Sequence, residues 1–311
     1  MSDYAIEAEH LSRSFQTLKA VDDLSFQVST GTVFGFLGAN GAGKTTTIHM
    51  LLGLLQLTAG DAQVLGFDVR TEASSIRERS GVLLEFNGLY ERMNAEDNLN
   101  FYGRINHMPR NQRQARIKEL LTHLELWDRR HDQVGTWSRG MKQKLALART
   151  LLHRPALVFL DEPTAGLDPF AAATLNQDLV NLVKQEGVTV FLNTHNLADA
   201  EKYCDQVGVI AKGKLRAIGN PDELRIKLSG AQIVIVGSAF NENIVTQLRQ
   251  QPGITDVEKQ ANRLLIRLDQ TREVAPFVDL IVQAGGHVEE VHRDHGSLED
   301  VFMNLMEDAK C

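Results

Sequence analysis

The stretch Gly38-Ala39-Asn40-Gly41-Ala42-Gly43-Lys44-Thr45-Thr46 lies between two apolar runs of different character and narrows what the chain can fold into. Before it, Thr32-Val33-Phe34-Gly35-Phe36-Leu37 is β-branched and aromatic, which predicts a buried strand. After it, Thr47-Ile48-His49-Met50-Leu51-Leu52-Gly53-Leu54-Leu55 predicts a buried helix. The G-x-x-x-x-G-K-T spacing is that of a phosphate-binding loop. Its glycines let successive backbone N–H groups turn inward around a phosphate, and the helix N-terminus adds partial positive charge. In such a loop Lys44 reaches the β- and γ-phosphates and the Thr45 hydroxyl ligates Mg²⁺.

Further along, Pro155-Ala156-Leu157-Val158-Phe159-Leu160 is an apolar strand run that closes on Asp161-Glu162-Pro163. Uninterrupted apolar residues suit a central parallel strand, and ligands of open α/β sheets bind beyond strand carboxyl ends. There Asp161 is placed to hold Mg²⁺ and Glu162 to polarise a water. Ala165-Gly166-Leu167-Asp168-Pro169 reads as a tight turn before a helix over about 170–186, and Val188-Thr189-Val190-Phe191-Leu192 as another strand ending at Asn193-Thr194-His195. A histidine at a strand end is either structural or, in this setting, a contact to the γ-phosphate. Ser138, in Trp137-Ser138-Arg139-Gly140-Met141, stands at an N-cap position before a helical run. Phe15, in a polar setting, can stack on a flat base or pack on its own sheet.

Residues 1–31 predict paired strands. From about 86 to 153 the pattern turns helical, with Ile117, Leu120, Leu121 and Leu124 on one face. The neighbouring Arg113, Arg116, Lys118 and Glu119 read as that helix's solvated side. Near Ser229-Gly230 the character changes, and the remaining runs follow the order β-α-β-β-α-β of a ferredoxin-like sandwich. His287, His292 and His295 lack a convincing ligand set around them and read as surface histidines.

A net charge of −7 speaks against a general nucleic-acid binder. The two cysteines, Cys204 and Cys311, lack metal-ligand spacing and fit a reducing cytoplasm. Met1-Ser2-Asp3-Tyr4 has neither a basic region nor an apolar core, so no signal peptide is expected. Because no apolar run approaches the roughly 18–20 residues of a membrane span, work at a membrane requires another chain to cross it.

Taken in order over about residues 4–225, these segments resemble the nucleotide-binding subunit of an ATP-binding cassette (ABC) transporter. Gly38 to Thr45 is similar to the Walker A loop, and Leu157 to Glu162 to Walker B with the family's catalytic glutamate. Asp168 falls in a D-loop, His195 at the switch histidine, and Phe15 at the adenine-stacking aromatic. Trp137 to Met141 stands at the signature Leu-Ser-Gly-Gly-Gln, keeping the serine and second glycine and departing at Trp137, Arg139 and Met141. Glu85 takes the place of the Q-loop glutamine; a carboxylate there can ligate Mg²⁺ but repels the γ-phosphate.

The resemblance implies an α/β fold: a P-loop ATPase domain over residues 1–228, with an antiparallel β subdomain and a helical subdomain at about 86–153. A small α+β accessory domain over 229–311 would follow. It implies ATP and Mg²⁺ as cofactors and a head-to-tail dimer with a second ATP-binding subunit. In that dimer Ser138, Arg139 and Gly140 of one subunit meet the ATP on the other. It further implies an integral membrane permease as partner, no nucleic acid, and a peripheral place on the cytoplasmic face. The Ser-x-Gly-Met form and the tail Ser297-Leu298-Glu299-Asp300-Val301-Phe302 are similar to export-type cassettes of the multidrug and antibiotic-resistance kind. The competing readings are a soluble ABC ATPase acting on ribosomes or DNA and a catalytically idle regulatory subunit. One cassette, no sustained heptads and an otherwise complete ATPase motif set weigh against both.

Overall fold

In the computed structural model, which describes residues 3–84, 86–229, 231–269, 273–294 and 298–307, the alternating apolar residues at the start of the chain pair into a long antiparallel ribbon. Its strands are β1 (Tyr4–Phe15) and β2 (Leu18–Ser29). With β4 (Ala59–Val64) and β5 (Phe67–Asp68) they form a sheet of order β2-β1-β4-β5.

A second sheet carries the site. It contains β3 (Val33–Leu37), β6 (Ser80–Leu83), β7 (Leu157–Asp161), β8 (Thr189–Thr194), β9 (Gln206–Ala211) and β10 (Lys214–Gly219), in the order β10-β9-β3-β8-β7-β6. All neighbours pair in parallel except β9 and β10. Strands β3, β7 and β8 are buried at every position, as expected of parallel strands covered on both faces. The two sheets share one core. Phe26 of β2 stacks on Phe34 at 5.8 Å between ring centroids, and Phe36 lies 5.3 Å from Phe191. Ring pairs at these separations add attraction beyond simple area burial.

Helix α1 (Lys44–Leu51) stops before Leu55, where the apolar run alone would carry it. Gly53 adopts φ +63°, and a Cβ there would lie 2.4 Å from the Ala73 Cβ, so chain reversal and close packing both require glycine. Helix α2 (Ala73–Arg79) leads into β6. The helical segment consists of α3 (Ala95–Ile105), α4 (Arg110–His123) and α5 (Arg139–Leu151), which pack on one another.

Two charges read as solvated are not. Arg113 and Arg116 of α4 are 7% and 3% exposed. Arg116 donates from Nη2 to Glu186 Oε2 at 2.8 Å and to the Leu151 carbonyl at 2.9 Å, joining α4 to the ends of α5 and of α6 (Pro169–Glu186). Arg113 lays its stem on Gly103, where a Cβ would be 2.3 Å from its Cδ, and donates to Asn100 Oδ1 and the Met108 carbonyl. Long cationic side chains bury their stems readily when the head finds acceptors, so residue type alone misjudged this helix face.

Helix α7 (Leu197–Tyr203) links β8 to β9. The chain divides into two compact units between Gly219 and Asn220. Helix α8 (Pro221–Ser229) packs on α11 (Leu298–Glu307) and so falls with the second unit, ahead of the composition change at residue 229. The rest of that unit is β11 (Ala231–Ser238), α9 (Glu242–Arg249), β12 (Ile254–Gln260), β13 (Arg263–Leu268), α10 (Ala275–Gln283) and β14 (His287–Asp294). Its antiparallel sheet has the order β12-β13-β11-β14 and covers a core of Ile233, Ile235, Ile244, Leu248, Ile266 and Ile281. His287 and His292 are exposed, while His295, Ser297, Cys311 and the Q-loop position Glu85 lie outside the described residues.

Candidate active site

The loop after β3 turns through Gly38–Gly43 into α1. Gly43, at φ +109°, sits where a Cβ would be 2.4 Å from the Ala20 carbonyl, so the turn into the helix admits only glycine. Gly38 and Ala42 are buried beneath the loop, while Ala39, Asn40 and Gly41 are exposed on it. Lys44 is 5% exposed and donates from Nζ to the carbonyls of Gly38 at 2.6 Å and Ala39 at 3.3 Å. Burial holds the Lys44 ammonium below the ordinary lysine range, against the upward pull of the Glu162 and Asp161 carboxylates.

Both acids stand where β7 ends. Thr45 Oγ1 donates to Asp161 Oδ2 at 2.9 Å, and Asn193 Nδ2 donates to Asp161 Oδ1. Glu162 adopts φ +50°, a region that costs a non-glycine residue energy and is over-represented at functional sites. Its amide donates to the Asn193 carbonyl at 2.9 Å, its Oε2 lies 2.8 Å from His195 Nδ1, and its Oε1 lies 3.9 Å from Lys44 Nζ. Glu162 Oε1 and Asn193 Oδ1 are buried without a hydrogen-bond partner. Such orphaned acceptors are uncommon in proteins and fit a bound cation or a water that it holds.

These groups face an open cleft of about 810 Å³ whose lining includes Phe15, Asn40, Gly41, Gly43, Lys44, Thr45, Thr46, Asp161, Glu162 and Asn193. Phe15 is 42% exposed at its mouth, with the Arg13 guanidinium 4.6 Å from the ring centroid, so one ring face is taken by its own strand. His195 meets the cleft only through Glu162 and has a largely exposed side chain.

Ser138, Arg139, Gly140 and Asp168 do not line this cleft. Ser138 Oγ accepts from the Met141 amide and caps α5, and Asp168 Oδ1 accepts from the Ala171 amide at 2.9 Å and caps α6. Arg139 donates from Nη2 to the Ala165 carbonyl at 2.7 Å and fills the space where a Cβ on Gly166 would lie 2.2 Å from its Nη1. Sequence reasoning missed Asn193. Its only signal was an amide closing an apolar strand beside the one that carries the acids.

A buried strand, a glycine loop leading into a helix that begins with a lysine, and a parallel strand one place removed in the same sheet and closed by two acids define a P-loop nucleotide-binding protein. Residues 21–165 match the family described as ABC transporter, and residues 219–306 match the ATP-binding protein DrrA1-3-like C-terminal domain. The daunorubicin resistance ATP-binding protein DrrA3 of Streptomyces coeruleorubidus is 34% identical over 100% of this chain and 98% of that protein. The bacitracin transport ATP-binding protein BcrA of Bacillus licheniformis is 34% identical over 97% of each. A solved ATP-binding subunit of an ABC transporter superposes with a TM-score of 0.65 at 30% identity, over 72% of this chain and 93% of that one. The chain belongs to the ABC transporter family: it is an ATP-binding subunit whose ATP hydrolysis is coupled to transport. These likenesses do not favour the ribosome- or DNA-acting alternative. No helix among the described residues is long and apolar enough to cross a membrane.

Proposed function

We propose that this chain drives the export of a drug- or antibiotic-like molecule through a separate membrane-spanning subunit, from a peripheral position on the cytoplasmic face of the membrane. Support for export comes from the end-to-end similarity to resistance and transport ATP-binding proteins. Support for hydrolysis comes from one observation above the rest: at the ends of β7 and β8 the start of α1 meets both acids, Thr45 touching Asp161 and Lys44 lying near Glu162, which also holds His195.

In this reading ATP lies along Gly38–Thr46 with its base near Phe15. Thr45 and Asp161 would hold Mg²⁺, which would supply charge neutralisation at the phosphates. Lys44 exchanges its carbonyl partners for phosphate oxygens, and the loop amides add preorganised donors. Glu162 orients a water with its unpartnered oxygen, while His195, tied to its other oxygen, holds that carboxylate in place and steadies the γ-phosphate. Ser138, Arg139 and Gly140, at the start of α5, do not line the chain's own cleft and serve the nucleotide of a second ATP-binding subunit in a head-to-tail dimer. Asp168 lies on the same interface. The ATPase domain, expected over 1–228, is assigned to the unit that ends at Gly219, and the accessory domain, expected over 229–311, to the unit that begins at Asn220.

Affinity purification in mild detergent from the native cell tests the transport assignment. A polytopic membrane protein in near-equal amount is the expected companion. Recovery with ribosomal particles or nucleic acid, and no membrane protein, would sink it.

A further inference from the structure

One residue outside the motif set touches both acids, one through its side chain and the other through its backbone. Asn193, the penultimate residue of β8, is 1% exposed. Its carbonyl accepts the Glu162 amide at 2.9 Å, and its Nδ2 donates to Asp161 Oδ1. The second Asp161 oxygen is thereby left to Thr45, which binds it at 2.9 Å. The remaining atom of the amide, Oδ1, is buried and has no hydrogen-bond partner, on a residue that lines the phosphate cleft.

A buried acceptor without a donor costs about 1–3 kcal/mol, so a position that carries one fits a ligand able to supply the donor. Anionic phosphate oxygens cannot do so, because they are acceptors themselves. A water polarised by a divalent cation can, and Mg²⁺ keeps several of its waters when bound through one or two carboxylates. The orientation of the amide is set by its neighbour: the Asp161 carboxylate on one side demands the NH₂ there, which leaves the oxygen on the opposite side of the amide.

We infer that Asn193 is a positioning residue for the metal: it fixes the Asp161 carboxylate through Nδ2 and accepts, through Oδ1, a hydrogen bond from a water in the Mg²⁺ shell. This rests on the Mg²⁺ assignment made above. Asn193 thereby sets how strongly nucleotide binding depends on the cation, rather than how strongly the loop grips the phosphates. Partners of this kind, one step removed from a metal, typically change metal affinity by about 10–100-fold when removed.

The isosteric pair Asn193→Thr and Asn193→Val tests it. Both side chains suit a buried strand, and they differ by a hydroxyl that can donate to Asp161 and accept from water. Fluorescent-nucleotide binding is titrated with Mg²⁺, and separately measured in excess chelator, on the full-length chain. Val should weaken Mg²⁺ affinity about tenfold relative to Thr, with nucleotide affinity in chelator equal in the two. Equal Mg²⁺ affinities in the two variants overturn the inference, as does an equal loss of nucleotide affinity with and without Mg²⁺, which marks a purely structural role. A wild-type chain whose nucleotide affinity ignores Mg²⁺ overturns the metal assignment itself, and this inference with it.

Discussion

Arg116 is the cation on which the helical segment's attachment depends, and its removal has a calculable cost. The side chain is 2% exposed and its main partner, Glu186, is 10% exposed. Nη1 and Nη2 lie 2.6 and 2.8 Å from the two Glu186 oxygens, and Nη2 also satisfies the Leu151 carbonyl at the last turn of α5. Arg116→Ala therefore leaves a buried carboxylate without its counter-charge, while the Leu151 carbonyl keeps the Arg154 amide as a donor. Removing one partner of a buried pair costs about 3–5 kcal/mol, mostly as the penalty on the charge left behind. At about 2–4 °C per kcal/mol for a unit of this size, the midpoint should fall by about 6–20 °C. The two tryptophans, Trp127 and Trp137, both lie between α4 and α5, so their fluorescence reports this unit's transition apart from that of the C-terminal one. Because the cost is mainly that of an orphaned charge, Arg116→Met combined with Glu186→Leu should recover at least half of the loss. A shift under 1 kcal/mol in the single variant, or no recovery in the double, would refute the reasoning.

Lys44→Ala should weaken ATP binding by about 10–100-fold, the worth of one charge-assisted hydrogen bond to phosphate; titration with a fluorescent nucleotide checks it, and unaltered affinity counts against the loop's role. The Cys204 thiol, buried against β3, is pushed up to about 12 by burial first and by Asp205 and Asp199 after it. At pH 8 only about one molecule in ten thousand carries the thiolate there. The peptide bearing Cys204 should therefore escape iodoacetamide in the native protein and react once the protein is unfolded.

The parts of the site that were legible in the sequence are those in which local order dictates position. A glycine loop between an apolar strand and a helix, and acids closing an apolar strand, name their own places in a parallel sheet. The ferredoxin-like order of the last unit was legible for the same reason, since alternation and helix periodicity are local. What escaped depends on pairing across the chain. Arg113 and Arg116 read as solvated because charge is a poor guide to burial once acceptors arrive, from α3 and the loop after it for Arg113 and from α5 and α6 for Arg116. Asn193 carries no pattern of its own, and its meaning comes from β8 lying beside β7. The Arg139 contact with Ala165 likewise joins segments far apart in sequence, and α1 ends early because Gly53 meets Ala73.

The role of Glu162 carries the account, and single-turnover ATPase of Glu162→Gln beside the wild type tests it most directly, with bound nucleotide and oligomeric state followed in the same samples. The rate should fall by about 10²–10⁴-fold, the usual worth of a positioned general base. ATP should remain bound and the chain should collect as a nucleotide-dependent dimer. Phosphate release at the wild-type rate would contradict it and remove Glu162 from the chemistry.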